Sequence, residues 1–135
     1  MTTVRDDSPV IARPDDTAGR IREYIRTHPD IRKQEYATAD DALQGSCYVA
    51  AEAYFHARGG VGSGLDIYCL SWGDVDATYS GTHWFLGMGD TVIDLSLPTA
   101  ADGQHIPWAT AHRRAFITGY EPSRRAETLL GAVTD

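Results

Sequence analysis

The chain has 135 residues, of which 42% are hydrophobic, and this is the size and composition of one folded domain with its own core. No apolar run approaches the roughly 20 residues that span a bilayer, which excludes a membrane-spanning protein. The net charge of −7 does not attract polyanions, so the composition does not favour nucleic acid as a partner.

Residues 1–15 show no hydrophobic periodicity and contain prolines and several aspartates, so we predict a flexible arm. The same segment is polar and does not read as a signal peptide, so we expect a cytoplasmic protein. A first helix is predicted over 17–28, capped by Asp16 or Thr17. Residues 16–135 are expected to form a single domain.

A second helix is predicted from Cys47 to Arg58, in an alanine-rich run without Gly or Pro. Ser46 stands where an N-cap belongs, and Gly59 follows where a C-cap belongs. The glycine-rich segment 59–64 lacks the lysine and the strand-to-helix order of a phosphate-binding loop. We interpret it as a flexible loop that could edge a site.

The second half of the chain predicts three strands, over 65–72, 82–86 and 91–97, the last two joined as a hairpin. A final helix is predicted to open at Pro122–Ser123, with an apolar face formed by Ala126, Leu129, Leu130 and Val133. This order predicts an α+β fold, in which a small antiparallel sheet packs against the helix that Cys47 opens.

Three residues of this arrangement have the chemistry of a nucleophilic site. A helix N-terminus favours the thiolate form of Cys47, which is the form that attacks a carbonyl. His83 and Asp94 lie on the two strands of the predicted hairpin, within about one step of register, so they can hydrogen-bond on one face. The pattern predicts a triad in which His83 activates Cys47 and Asp94 orients His83.

Each of these residues also has a structural interpretation. Cys47 could be a small buried hydrophobe, His83 a hydrogen-bonded core histidine and Asp94 a residue that closes a turn. The other cysteine, Cys69, lies in the middle of a predicted strand and is expected in the core. Glu52 could line the cleft or lie on the solvated face of its helix.

The segment Gly45-Ser46-Cys47-Tyr48 resembles the sequence around the nucleophile of papain. A cysteine that opens a helix, a histidine on one strand and an aspartate on the next resemble the transglutaminase-like branch of the papain-like superfamily. The gap between Cys47 and His83 is much shorter than in papain. The chain is also similar to short, mostly uncharacterised proteins of phages and actinobacteria, through residues 47–53, 83–86, 93–95 and 122–126.

The resemblance implies cysteine-dependent acyl transfer through a thioester, with a peptide or protein amide as substrate and no cofactor. It suggests Gln44, Ser46 and Trp84 as residues near the oxyanion or the substrate, beside the backbone N–H of Cys47. Two alternatives stay open: a non-catalytic binding module on the same fold, and a protein that binds metal through the same three residues. Nothing in the sequence indicates an oligomeric state.

Overall fold

The computed structural model describes residues 4–28, 47–71, 82–97, 106–113 and 123–133. These ranges contain three helices, α1 (Asp16–Thr27), α2 (Cys47–Ala57) and α3 (Arg124–Val133). They also contain five strands, β1 (Val10–Ile11), β2 (Asp66–Ser71), β3 (Thr82–Met88), β4 (Thr91–Ile93) and β5 (His112–Arg113). Within these ranges, no helix combines the length and the apolar character needed to cross a lipid bilayer.

The five strands form one mixed sheet in the order β1-β4-β3-β2-β5. The predicted α+β class is confirmed, but the sheet is not purely antiparallel, because β1 pairs in parallel with β4. The strands β1 and β5 have two residues each, too few to show the period-two alternation that identifies a strand in a sequence. The sequence therefore predicted only the three longer strands.

Much of the segment predicted as a flexible arm contributes to the sheet. Pro9 and Ile11 accept backbone hydrogen bonds from Val92 and Asp94, at 2.8 and 3.0 Å. Val4 and Val10 are buried on one face of the sheet. Residues 4–15 thus form an edge strand and part of the core, although their apolar residues are too few to show a pattern.

Two hydrophobic layers lie on opposite faces of the sheet. On one face, the three helices pack against side chains of β2, β3 and β4, including Ile67, Leu86 and Ile93. On the other face, Phe85 and Val92 are covered by the N-terminal segment and by Trp108, which is fully buried. Because β3 is central and its side chains alternate, it contributes to both layers.

The hairpin between β3 and β4 turns at Gly89-Asp90 and pairs Leu86 with Ile93. Gly89 has φ = 62°, which suits the first central residue of a tight hairpin turn and which side chains rarely allow. The strand β4 ends at Ile93 rather than at the predicted residue 97. It ends there because the Asp94 carboxylate binds the backbone two residues ahead and replaces the ladder with a turn.

A carboxylate at the start of α1 connects this helix to α2. The N-cap is Asp15, one residue before the predicted Asp16 or Thr17, and its Oδ1 accepts from the Ala18 N–H at 2.9 Å. The hydroxyl of Tyr54, on α2, donates to Oδ2 at 2.6 Å. Partial burial raises the pKa of Asp15, but the hydrogen bonds from Tyr54 and Ala18 outweigh burial, so this pKa lies below its usual range.

A second buried carboxylate connects α2 to α3. Glu52 is fully buried, and it accepts hydrogen bonds from the backbone N–H and the hydroxyl of Ser123, at 2.7 and 2.6 Å. The Ser123 hydroxyl in turn accepts from the Ala126 N–H and caps α3. Glu52 therefore lies neither in a cleft nor on a solvated face, and its burial is compensated by these hydrogen bonds.

Replacing Asp15 with Ala should lower the free energy of unfolding by about 1–2 kcal/mol at pH 7, since it removes a cap and the Tyr54 contact. Because the pKa of Asp15 is lowered by folding, this contribution is present above about pH 4 and is lost as the pH falls through the lowered value. Urea unfolding at pH 7 and at pH 3 measures both effects. Asp16→Ala, an exposed neighbour, is the control, and an equal loss in both variants would contradict the assignment.

Candidate active site

The sulfur of Cys47 lies where the helical layer meets the start of β3. Cys47 is the first residue of α2, and its side chain is partly buried. Its Sγ lies 4.0 Å from the carbonyl oxygen of Thr82 and faces the backbone N–H of Trp84, and the His83 side chain is close enough to change the pKa of the thiol. The unpaired N–H groups of the first helical turn add a positive potential that favours a thiolate.

The imidazole of His83 is only 2% exposed and lies among aromatic rings. The Phe85 ring centroid is 6.0 Å away, and the Trp108 ring centroid is 6.1 Å away. Its Nε2 is hydrogen-bonded to Oδ2 of Asp94. Nδ1 is also buried, and the thiol of Cys47 is close enough to the imidazole to raise its pKa.

The carboxyl group of Asp94 is only 1% exposed and follows the end of β4. Continuing the register from the Leu86–Ile93 pair places Ser96, not Asp94, opposite His83. The offset is two residues, not one, and because strand side chains alternate, Asp94 still emerges on the His83 face. The structure therefore brings Cys47, His83 and Asp94 together in a row, with the imidazole in the middle.

The row of contacts changes the proton affinities of its first two members. Burial raises the pKa of Cys47, but the hydrogen bond from His83, its charge and the Trp84 N–H outweigh burial, so the pKa is lowered. Burial lowers the pKa of His83, but the charge and hydrogen bond of Asp94 and the contact with Cys47 outweigh it, so the pKa is raised. These shifts favour the charged forms of both groups, a thiolate on Cys47 and an imidazolium on His83.

The sequence did not predict a role for Ser96, which binds the second oxygen of the Asp94 carboxylate. The backbone N–H and the hydroxyl of Ser96 both donate to Oδ1 of Asp94, at 3.0 and 2.6 Å. The signal was present in the sequence, because an aspartate two residues before a serine is typical of such a side-chain turn. This turn was not predicted because residues 91–97 were interpreted as one continuous strand.

Of the residues suggested near the oxyanion or substrate, the structure describes only Trp84, and Gln44 and Ser46 lie outside the described residues. The Trp84 ring is partly exposed and contacts Tyr48 edge to face, with ring centroids 5.0 Å apart. The segment 59–64 follows the other end of α2, which is about 16 Å long, so it does not edge the site near Cys47. The expected core residue Cys69 is 5% exposed.

The geometry does not favour a metal at these three residues. His83 lies between Cys47 and Asp94, and its Nε2 is hydrogen-bonded to Asp94, so this nitrogen is not free to bind a metal together with the other two side chains. In the part of the chain that the structure describes, no group of three or more His, Cys, Asp or Glu side chains could hold a metal ion.

Comparison with models of protein families, with curated proteins and with solved structures finds no match to this chain.

Iodoacetamide should alkylate Cys47 quickly at pH 6–7, where an ordinary thiol with a pKa near 8.5 is almost fully protonated. Because the pKa of Cys47 is lowered, its reactivity should persist below the usual range and fall only as the pH drops through the lowered value. His83→Ala should slow alkylation at pH 6 by about tenfold or more, since one pKa unit is a tenfold change in thiolate.

Mass spectrometry after timed quenching measures both cysteines in one sample. The buried thiol of Cys69 serves as the internal control and should stay unmodified while the protein is folded. Wild-type alkylation that follows an ordinary thiol titration, with the same profile in His83→Ala, would contradict an activated Cys47.

Proposed function

We propose that this chain is a cysteine-dependent acyl-transfer enzyme of the papain-like, transglutaminase-like kind. The observation that carries the proposal is the row of contacts from the Cys47 thiol through the His83 imidazole to the Asp94 carboxylate. Its support is chemical: a nucleophile, a base and an orienting group stand in the order that covalent catalysis requires.

In the proposed reaction, the Cys47 thiolate attacks the carbonyl carbon of an amide. The proton held by the His83 imidazolium passes to the leaving amine, and the acyl group remains on sulfur as a thioester. Asp94 keeps its carboxylate against Nε2, which orients the ring and stabilises its charged form. Neutral His83 then accepts a proton from water or from an amine as that nucleophile attacks the thioester carbonyl carbon, and the C–S bond breaks to return the Cys47 thiolate and release the acyl product.

The oxyanion formed by the attack needs hydrogen-bond donors near Cys47. The backbone N–H of Cys47 is the candidate within the described residues, because the first N–H groups of a helix have no intrahelical acceptor. The Trp84 N–H already faces the sulfur and stabilises the thiolate before the attack. Gln44 and Ser46 remain proposed contributors on the evidence of the sequence pattern.

The proposed substrate class is a peptide or protein amide, with water or a primary amine as the acceptor, and no step of the reaction requires a cofactor. Cys47 as a residue is partly exposed, and the aromatic pair of Tyr48 and Trp84 stands beside it, which agrees with a reaction centre near the surface.

An activated ester tests the proposal without requiring the natural substrate. With p-nitrophenyl acetate, wild type should release a burst of about one equivalent of p-nitrophenol and gain one acetyl group on Cys47. His83→Ala and Asp94→Ala should slow this acylation by at least tenfold, because they remove the base and its orientation. Intact-protein and peptide mass spectrometry identify the acylated residue.

Cys47→Ala should abolish the burst, and Cys69→Ala is the matched control that should retain it. Adding a primary amine should speed decay of the acyl-enzyme and yield the amide if the enzyme uses amine acceptors. A wild-type protein that forms no acyl-enzyme, or one whose acylation is unchanged in His83→Ala, would instead favour the non-catalytic binding module.

A further inference from the structure

Both oxygens of the Asp94 carboxylate are engaged, and each by a different element. Oδ2 faces Nε2 of His83 on β3, and Oδ1 accepts from the backbone N–H and the hydroxyl of Ser96. With Asp94 only 1% exposed, water contributes little to its hydration, so these donors replace the solvent. The hydroxyl contact, at 2.6 Å, has the short length of a charge-assisted hydrogen bond.

The backbone of this turn is held by contacts other than the Ser96 hydroxyl. The Asp94 N–H donates to the carbonyl of Ile11 at 3.0 Å, on the edge strand β1. From α1, Nη1 of Arg22 donates to the carbonyls of Leu95 and Leu97, at 2.8 and 2.6 Å. The turn is therefore held at several points besides the hydroxyl, whose own contact is with the carboxylate.

We propose that Ser96 is a positioning residue of this site, whose hydroxyl fixes the plane of the Asp94 carboxylate so that Oδ2 stays directed at Nε2 of His83. The inference rests on the proposed function, and it adds a fourth residue to the row of Cys47, His83 and Asp94. A carboxylate can rotate about its Cβ–Cγ bond, and one donor fixed on Oδ1 restricts this rotation while leaving Oδ2 for the imidazole.

The charged groups that face one another here are the Asp94 carboxylate, the His83 imidazole from β3 and the Cys47 thiol from α2. Arg22 contacts the turn through carbonyl oxygens. Without the Ser96 hydroxyl, the carboxylate is less well oriented and stabilises the imidazolium less. The imidazolium in turn stabilises the thiolate less. The acidic limit of Cys47 reactivity should then move to higher pH, whereas a purely structural role would lower stability and leave this limit in place.

The test is the pH profile of Cys47 alkylation by iodoacetamide in the full-length chain. Ser96→Thr and Ser96→Val form a matched pair, because they have nearly the same shape and differ in a hydroxyl against a methyl group. We expect Ser96→Thr to keep the wild-type profile, and Ser96→Val and Ser96→Ala to shift its acidic limb upward by about half a pH unit, since only part of the effect of a hydrogen bond on Asp94 reaches the thiol through His83.

Ser63→Ala is the control for a general loss of stability. The Ser63 hydroxyl also makes two local turn contacts, to the Gly60 carbonyl at 2.6 Å and the Leu65 N–H at 3.1 Å, but it follows the far end of α2. This variant should leave the profile unchanged, and circular dichroism checks that all variants are folded.

The outcomes separate this inference from the proposed function. If Asp94→Ala shifts the profile but Ser96→Thr and Ser96→Val give the same profile, the role of Ser96 is refuted and the triad stands. If His83→Ala and Asp94→Ala also leave the wild-type profile unchanged, both the inference and the proposed function are refuted.

Discussion

The buried contact between His83 and Asp94 is the interaction on which the site depends. Both groups are almost completely removed from water, and an unpaired charge in such a position would cost several kcal/mol. The local fold is consistent with this pairing: Asp94 follows the end of β4, and His83 lies near the start of β3. The turn that results gives Ser96 its place on the carboxylate.

Two layers of the fold supply the parts of this site. Cys47 comes from the helical layer, whereas His83 extends from the sheet among Phe85 and Trp108 on the other face. The two meet where the first residue of α2 reaches the start of β3. A net charge of −7 would by itself disfavour a thiolate. The pKa of Cys47 is nevertheless lowered, because the neighbouring His83 and the Trp84 backbone N–H act on it at short range.

The position of α2 relative to the sheet and to α3 is what keeps the thiol in reach of the imidazole. Glu52 lies one and a half turns along α2 from Cys47 and binds the N-terminus of α3. Tyr54 binds the cap of α1 from the same helix. Because polar contacts in a dry interior require specific geometry, they fix the rotation of α2 more closely than apolar packing alone.

The sequence predicted the elements whose signal is periodic or compositional. The apolar faces of α1 and α3, the alanine-rich α2 and the turn residues of the hairpin each leave a pattern in one segment of chain. The side chains of Cys47, His83 and Asp94 could be expected to meet because each stands at a defined place on such an element.

What the sequence did not predict depends on contacts between distant segments. The strand β1 forms by pairing with the open edge of β4, and the two residues of β1 show no pattern that identifies a strand. The burial of Glu52 depends on Ser123, 71 positions away, and no helical period of α2 indicates it. The end of β4 was not predicted because the residues around Asp94 have a strand-like pattern, while its carboxylate can also accept hydrogen bonds from a turn. In the structure the hydrogen bonds from Ser96 form, and the strand ends.

We expect Cys47 and His83 to form a thiolate–imidazolium pair at pH 7, stabilised by the Asp94 carboxylate. Long-range ¹H–¹⁵N NMR of the histidine side chains measures the protonation of both His83 ring nitrogens directly. We predict that both nitrogens carry a proton at pH 7 and that His83 titrates only at a higher pH. A neutral His83 at pH 7, with one bare ring nitrogen and a protonated Cys47, would contradict this claim.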